Sequence, residues 1–252
     1  MGNFWNNIQL YFQFLTRVPI NKNLNCEEKN FRNGIFAFVI VGGFLGIINY
    51  GILLIFKNTL PSIVIAGFLV LIPIMLTGGM QMDGIGDTCD GFFAFKEGGK
   101  ERRIEIMKDS NVGTFAVIAI IWDMGMKLVL LNELIVMHKY WGVFMYMVLS
   151  RLGVMFSAKI AVRAKEHGTG NLYIENCTGK GIAIAVIITC GLATICGALV
   201  ETVIIIPVIL FVVWIFNSYC NKKIGGQTGD TLGATNEICE LVALIVMVAL
   251  AL

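Results

Sequence analysis

Residues Ile35–Phe56 read IFAFVIVGGFLGIINYGILLIF, twenty-two positions without a charged side chain. At about 1.5 Å rise per residue, a helix of that length covers the roughly 30 Å hydrocarbon core of a bilayer. The rest of the chain has the same character: 57% of its 252 residues are hydrophobic and 14% are charged, against about 25% charged in soluble domains. Mean hydropathy is +0.79. Too few charges remain to cover a water-exposed surface of this size, so lipid is the main solvent.

Further apolar runs lie at 62–82, 112–136, 140–162, 181–200, 202–219 and 238–252. They predict an all-α polytopic membrane bundle of about seven transmembrane helices, forming one domain over residues 1–252. The run at 62–82 carries Gly78 and Gly79 ahead of Asp83 and is expected to break there. The last run has only about 15 residues, short of the roughly 20 needed to cross, and is expected to be shallow. Before the first span, Phe4, Trp5, Ile8, Tyr11, Phe12 and Leu15 recur at helical spacing among asparagines and glutamines. This predicts an interfacial helix with its amides toward water. Gly42 and Gly46, spaced GxxxG, predict close helix packing.

Lys and Arg concentrate in cytoplasmic loops. Arg17, Lys22, Lys29 and Arg32 precede the first span, Lys96, Lys100, Arg102, Arg103 and Lys108 lie between the second and third, Arg163, Lys165 and Lys180 between the fourth and fifth, and Lys222 and Lys223 between the sixth and seventh. The opposite loops hold only Lys57 and Lys139. The N-terminus is therefore expected inside, in a cell membrane. The net charge of +2 without a basic stripe argues against a nucleic-acid partner. Seven cysteines without CxxC spacing read as packing thiols. His138 and His167 have no metal-ligand spacing.

Charges inside spans are expensive and need partners or a wet cavity. Asp123 and Lys127, four apart, can pair with each other; Arg151 faces either such an internal partner or an anionic ligand. Lys159, near a span end, can snorkel. Lining a transport path is the alternative role for these charges.

The segment Gly78–Gly113 differs from everything around it. Asp83, Asp87 and Asp90 are spaced four and three, so on a helix their carboxylates share one face. Three like charges repel, and a divalent cation removes that penalty; oxygen ligands select a hard ion such as Mg²⁺, usually shared with substrate phosphates. Arg102, Arg103 and Lys108 are candidate phosphate ligands, and Asp109 and Ser110 sit where an N-cap for the 112–136 helix belongs. A second polar cluster, Gly225–Glu237, contains Gln227, Thr228, Asp230 and Glu237 among four glycines. As a loop it would let backbone N–H groups cradle phosphate. The orientation argument puts it on the same side as the aspartates.

At these clusters the sequence resembles the adenosylcobinamide-GDP ribazoletransferase (cobalamin synthase) family. The matching stretches are Phe14–Pro19, Gly78–Gly91, Glu105–Ser110 with Gly113–Phe115, Ser150-Arg151, and Gly226–Ala234 with Glu237. The resemblance implies a Mg²⁺-dependent membrane enzyme. In that family's reaction a hydroxyl of α-ribazole, or of its 5′-phosphate, attacks the phosphate on adenosylcobinamide-GDP and GMP leaves. For that reaction the clusters assign metal to Asp83, Asp87 and Asp90, catalysis to these with Lys108, and substrate contacts to Arg102, Arg103, Asp109, Ser110, Arg151, Gln227, Thr228, Asp230 and Glu237; the family name does not add which of them touches the metal. A homo-oligomer, or association with other cobalamin-assembly enzymes, stays open. The CDP-alcohol phosphotransferases are the rival class. Asp87–Ala94 matches the start of their motif, DxxDGxxA, but Phe95 replaces the expected arginine and the later aspartates are missing.

Overall fold

The computed structural model describes residues 2–94 and 99–251; Phe95 and Lys96, used above, lie outside the described residues. Among these, twelve helices and no strand form the chain. Helix α1 is Gly2–Leu15, α2 Glu28–Gly34, α3 Ala37–Phe56, α4 Ser62–Thr77, α5 Met80–Phe93 and α6 Lys100–Ile106. After them come α7 Thr114–Val136, α8 Tyr140–Ile160, α9 Thr169–Asn176, α10 Gly179–Ile195, α11 Leu199–Ile224 and α12 Gly229–Ala249.

Five helices (α3, α7, α8, α11 and α12) are each long and apolar enough to cross a membrane, and two bent pairs, α4 with α5 and α9 with α10, raise the number to seven. The protein is an all-α, multi-pass membrane bundle. Both bends are near 90°. The first falls at Gly78 and Gly79, whose φ values of 73° and 74° occupy the left-handed region that glycine enters without a Cβ clash. We read α4 as the membrane-crossing arm and α5 as running along the membrane face.

Helix α8 is the axis: from Gly142 to Met155 every residue is buried. It packs against α3, α7, α10, α11 and α12. A Cβ on Gly42 would lie 2.5 Å from the Met147 carbonyl oxygen, and one on Gly46 would lie 2.6 Å from that of Phe144. The GxxxG pair is thus the groove that admits α8.

Two expectations change. Helix α1 is not simply laid on the surface: Leu10, Tyr11 and Leu15 enter the core, and Asn7 is buried, accepting a 2.7 Å hydrogen bond from Asn30 Nδ2. Phe4 and Trp5 stay exposed. The last span is not shallow, because α12 starts at Gly229 and has 21 residues. Thr228 starts it with a capping box, in which Thr228 Oγ1 accepts from Thr231 N and Thr231 Oγ1 accepts from Thr228 N. The segment Gly229–Glu237 is therefore helix, not loop.

Its polar residues are tolerated because they are paired inside the bundle. Lys127 Nζ on α7 meets Asp123 Oδ2 at 2.9 Å, Glu240 Oε2 at 2.8 Å, and Glu237. Arg151 Nη1 on α8 donates to Glu240 Oε1 at 2.8 Å, to Ser150 Oγ at 2.9 Å and to Asn236. Asn236 Nδ2 completes the cluster with bonds to Glu237 and Glu240, both at 2.9 Å. None of the charged side chains is more than 6% exposed. The intramembrane charges therefore pair with one another around a cavity of only about 20 Å³.

Removing one partner of a buried ion pair typically costs about 3–5 kcal/mol. Lys127→Met leaves Asp123, Glu237 and Glu240 short of their shared cation and should lower unfolding free energy in detergent by about that much. A loss below about 1 kcal/mol, the size of a surface pair, would show that the cluster does not hold α7 to α12.

Candidate functional site

Helix α5 carries its three aspartates along a gradient of burial: Asp83 is exposed, Asp87 half-buried, and Asp90 only 7% exposed. It lies against α12 at Gly84, where a Cβ would come 2.6 Å from the Asp230 carbonyl oxygen and 3.2 Å from Gly233 Cα. This approach brings the two polar clusters together. Asp87 feels Asp83, Asp230 and Asp90 at once.

Burial first, then repulsion from Asp83, Asp230 and Asp90, pushes the Asp87 carboxyl up to about 7, against a smaller opposing pull from Lys165. A carboxyl raised in the folded state binds its proton more tightly there than in the unfolded chain. Its contribution to stability is therefore full at low pH and is lost as pH rises toward about 7. Above that, Asp87 is ionised among like charges, a state that a bound cation relieves.

Asp90 has a structural duty. Its Oδ2 accepts from Gly113 N at 2.7 Å and its Oδ1 from Ala116 N at 3.0 Å, so α5 supplies the cap for the N-terminus of α7. Asp109 and Ser110 do not cap it. Asp109 Oδ1 instead accepts from Asn111 N and Asn111 Nδ2, bonds that hold its carboxyl below the usual carboxylate range, and Ser110 is exposed.

The cations divide. Lys108 is exposed at the rim of a cavity of about 200 Å³ that also touches Asp230. Arg102 is an exposed partner of Glu105 at 2.7 Å. Arg103 is buried, donating to the Gly91 and Phe92 carbonyls at 3.1 and 2.8 Å; a cation at the end of α5 complements its dipole. Arg151 lines the rear of a cleft of about 180 Å³ together with Asp83, Asp230 and Asn236.

The second cluster divides in the same way. Thr228 caps α12 and donates to Asp230 Oδ2 at 3.2 Å, and Asp230 faces both cavities. Gln227 is fully buried, its Nε2 bonded to Asn217, and Glu237 is spent on Lys127. The geometry thus gathers Asp83, Asp87, Asp230, Lys108 and Thr228, with Asp90 beneath and Arg151 behind. Arg102, Arg103, Asp109, Ser110, Gln227 and Glu237 stand apart or are turned inward.

Sequence reasoning passed over Lys165, 3.6 Å from Asp230 Oδ2, and His167, which lines the same cavity as Lys108. A signal existed in Lys165-Glu166-His167-Gly168-Thr169-Gly170, a basic, glycine-bearing run on the aspartate side of the chain.

Among the described residues no three His, Cys, Asp or Glu side chains converge closely enough to enclose a metal ion. The arrangement offers an open acidic rim flanked by cations. Such a rim suits a cation that completes its shell with water and phosphate oxygens, the habit of Mg²⁺.

A family model described as cobalamin-5-phosphate synthase matches residues 7–248. The chain is 41% identical over 244 residues to the adenosylcobinamide-GDP ribazoletransferase of Clostridium tetani, covering 97% of this chain and 96% of that one. It is 40% identical to enzymes of the same name from Clostridium botulinum strain 657, over 98% and 99% of the two chains, and from Clostridium kluyveri, over 98% of each. No significant match exists among solved structures. With the match running through every span and both polar clusters, the chain belongs to the cobalamin-5-phosphate synthase family and is a transferase.

Proposed function

We propose that this enzyme joins adenosylcobinamide-GDP to α-ribazole, or to its 5′-phosphate, releasing GMP at the cytoplasmic membrane face, with Mg²⁺ as the metal. The observation that carries this reading is the position of Asp87, pressed among Asp83, Asp90 and Asp230 from two helices with Lys108 near Asp230. Like charges gathered at this density suit a cation-bridged diphosphate better than any apolar cargo.

In this reading the acceptor hydroxyl attacks the phosphorus attached to cobinamide. The new P–O bond forms as the bond to GMP breaks, and the hydroxyl proton passes to a carboxylate of the cluster. Asp83, Asp87 and the free lone pairs of Asp90 would hold Mg²⁺, which when bound supplies charge neutralisation for the diphosphate and the leaving GMP. Lys108 sits where it can meet a phosphate oxygen, Arg151 and Asn236 form the polar rear of the cleft, and Asp90 keeps α5 aligned with the start of α7.

Proteoliposomes given both substrates and Mg²⁺ should release GMP and form the cobalamin product, and excess EDTA should stop them. Asp87→Asn and Asp90→Asn should each abolish turnover with membrane insertion intact, and at limiting Mg²⁺ the wild-type rate should climb with pH as Asp87 ionises near 7. Near-normal activity in both variants would refute the carboxylate assignment, and full activity in EDTA the metal.

The orientation rests on the positive loops. Reporter domains fused at Lys100 and Lys223 should both read cytoplasmic; a reading outside the membrane at both would invert the assigned face.

A further inference from the structure

Two cavities adjoin at the acidic site, sharing Thr169, Gly229 and Asp230. The 180 Å³ cleft is walled by the rings of Phe14, Phe38 and Tyr173, the last two meeting edge to face at 5.0 Å between centroids. The 200 Å³ cavity is basic, lined by Lys108, Lys165 and His167 with Thr228. Asp83 lines the aromatic cleft but not the basic cavity, and Asp87 does not line the basic cavity either.

The basic wall is held in place. Gln227 N donates to the Val162 carbonyl at 2.7 Å and Ala164 N to the Gln227 carbonyl at 3.0 Å, pairing the start of the α8–α9 connection with the turn before α12. Asn171 Nδ2, itself buried, donates to the carbonyls of Lys165 and Glu166 at 3.1 and 3.0 Å. The Lys165 side chain is 18% exposed, and its ammonium stands 3.6 Å from Asp230 Oδ2, beyond hydrogen-bond length. A mostly buried ammonium with three donors, 3.6 Å from Asp230 and within electrostatic reach of Asp87, keeps donors for an anion.

We propose that the basic cavity reads the 5′-phosphate of a nucleotide-like acceptor whose aromatic base occupies the ring-lined cleft, with its ribose crossing the shared wall at Asp230. This rests on the transfer reaction proposed above and names Lys165 and His167 as the residues that tell a phosphorylated acceptor from a bare one. The diphosphate being cleaved is assigned to Asp83 and Asp87, neither of which lines this cavity, and Lys108 at the cavity rim is left to that diphosphate, so the phosphate held by Lys165 and His167 takes no part in bond breaking. Lys165 and His167 are binding residues, and no covalent step is assigned to them.

The test compares α-ribazole 5′-phosphate with α-ribazole as acceptors, in proteoliposomes of the full chain supplied with adenosylcobinamide-GDP. Lys165→Ala and His167→Ala should each lower the ratio of kcat/KM for the phosphorylated acceptor to that for the bare one by about tenfold, the size expected for a lost charge-assisted hydrogen bond. The change should lie mainly in KM, and Lys165→Arg should restore most of the ratio. A general structural defect, or a role with the donor's phosphates, would depress both acceptors and leave the ratio unchanged, overturning the assignment. If Lys165→Ala fails to assemble, His167→Ala decides the same comparison. Wild-type enzyme that uses α-ribazole but ignores its phosphate sinks this inference alone, whereas enzyme that uses neither acceptor sinks the underlying reaction.

Discussion

Five ionisable side chains on α7, α8 and α12 share a space from which water and lipid are nearly excluded. Lys127 sits between Asp123, Glu237 and Glu240, and Arg151 binds the far side of Glu240. In a low-dielectric interior an unpaired charge is far more expensive than a paired one, so these three helices can satisfy their charges only in one relative register. Helix α12 gains most. Its first half is too polar to read as a span, yet it is helical and buried because its carboxylates have cations on two neighbours. The register that pairs Glu237 and Glu240 also sets Asp230, two turns earlier, against Gly84 of α5.

The acidic site is the reverse case. Asp83, Asp87, Asp90 and Asp230 gather without enough cation among them, and the consequence is an Asp87 carboxyl raised to about 7. The fold tolerates the repulsion because Asp90 is anchored by two amides of α7 and because the rim stays open to water at Asp83. One group of charges, three carboxylates around two cations, is therefore paired within the protein and locks the bundle, while the other gathers carboxylates with too few cations to pair them. The two are joined through Arg151, whose guanidinium holds Glu240 and which also lines the cleft beside Asp83 and Asp230.

Much of this was legible in the residues. The uncharged run Ile35–Phe56, the GxxxG pair and the glycines before Asp83 predicted a span, a packing groove and a break, each of which depends on local chemistry. Spacings of four and three put the aspartates on one face of whatever helix formed. Less legible were residues whose partners lie far along the chain. Asp109 and Ser110 looked like the cap of α7, but Asp90 takes that place from another helix. Gln227 and Glu237 looked like ligands for phosphate, and they are turned inward by Asn217 and Lys127. Lys165 counted only as a loop cation until the pairing of residues 162–164 with the turn before α12 carried it to Asp230.

Residue chemistry alone settles that the chain lives in lipid, that it is helical, where it bends, and that carboxylates and cations cluster, because hydropathy, glycine content and charge spacing act within a turn or two of the backbone. Which of those charges are spent on one another and which are left open emerges only from how the helices pack. That depends on Coulomb and hydrogen-bond partners from helices up to 110 positions apart, such as Lys127 and Glu237, and no local pattern carries that information.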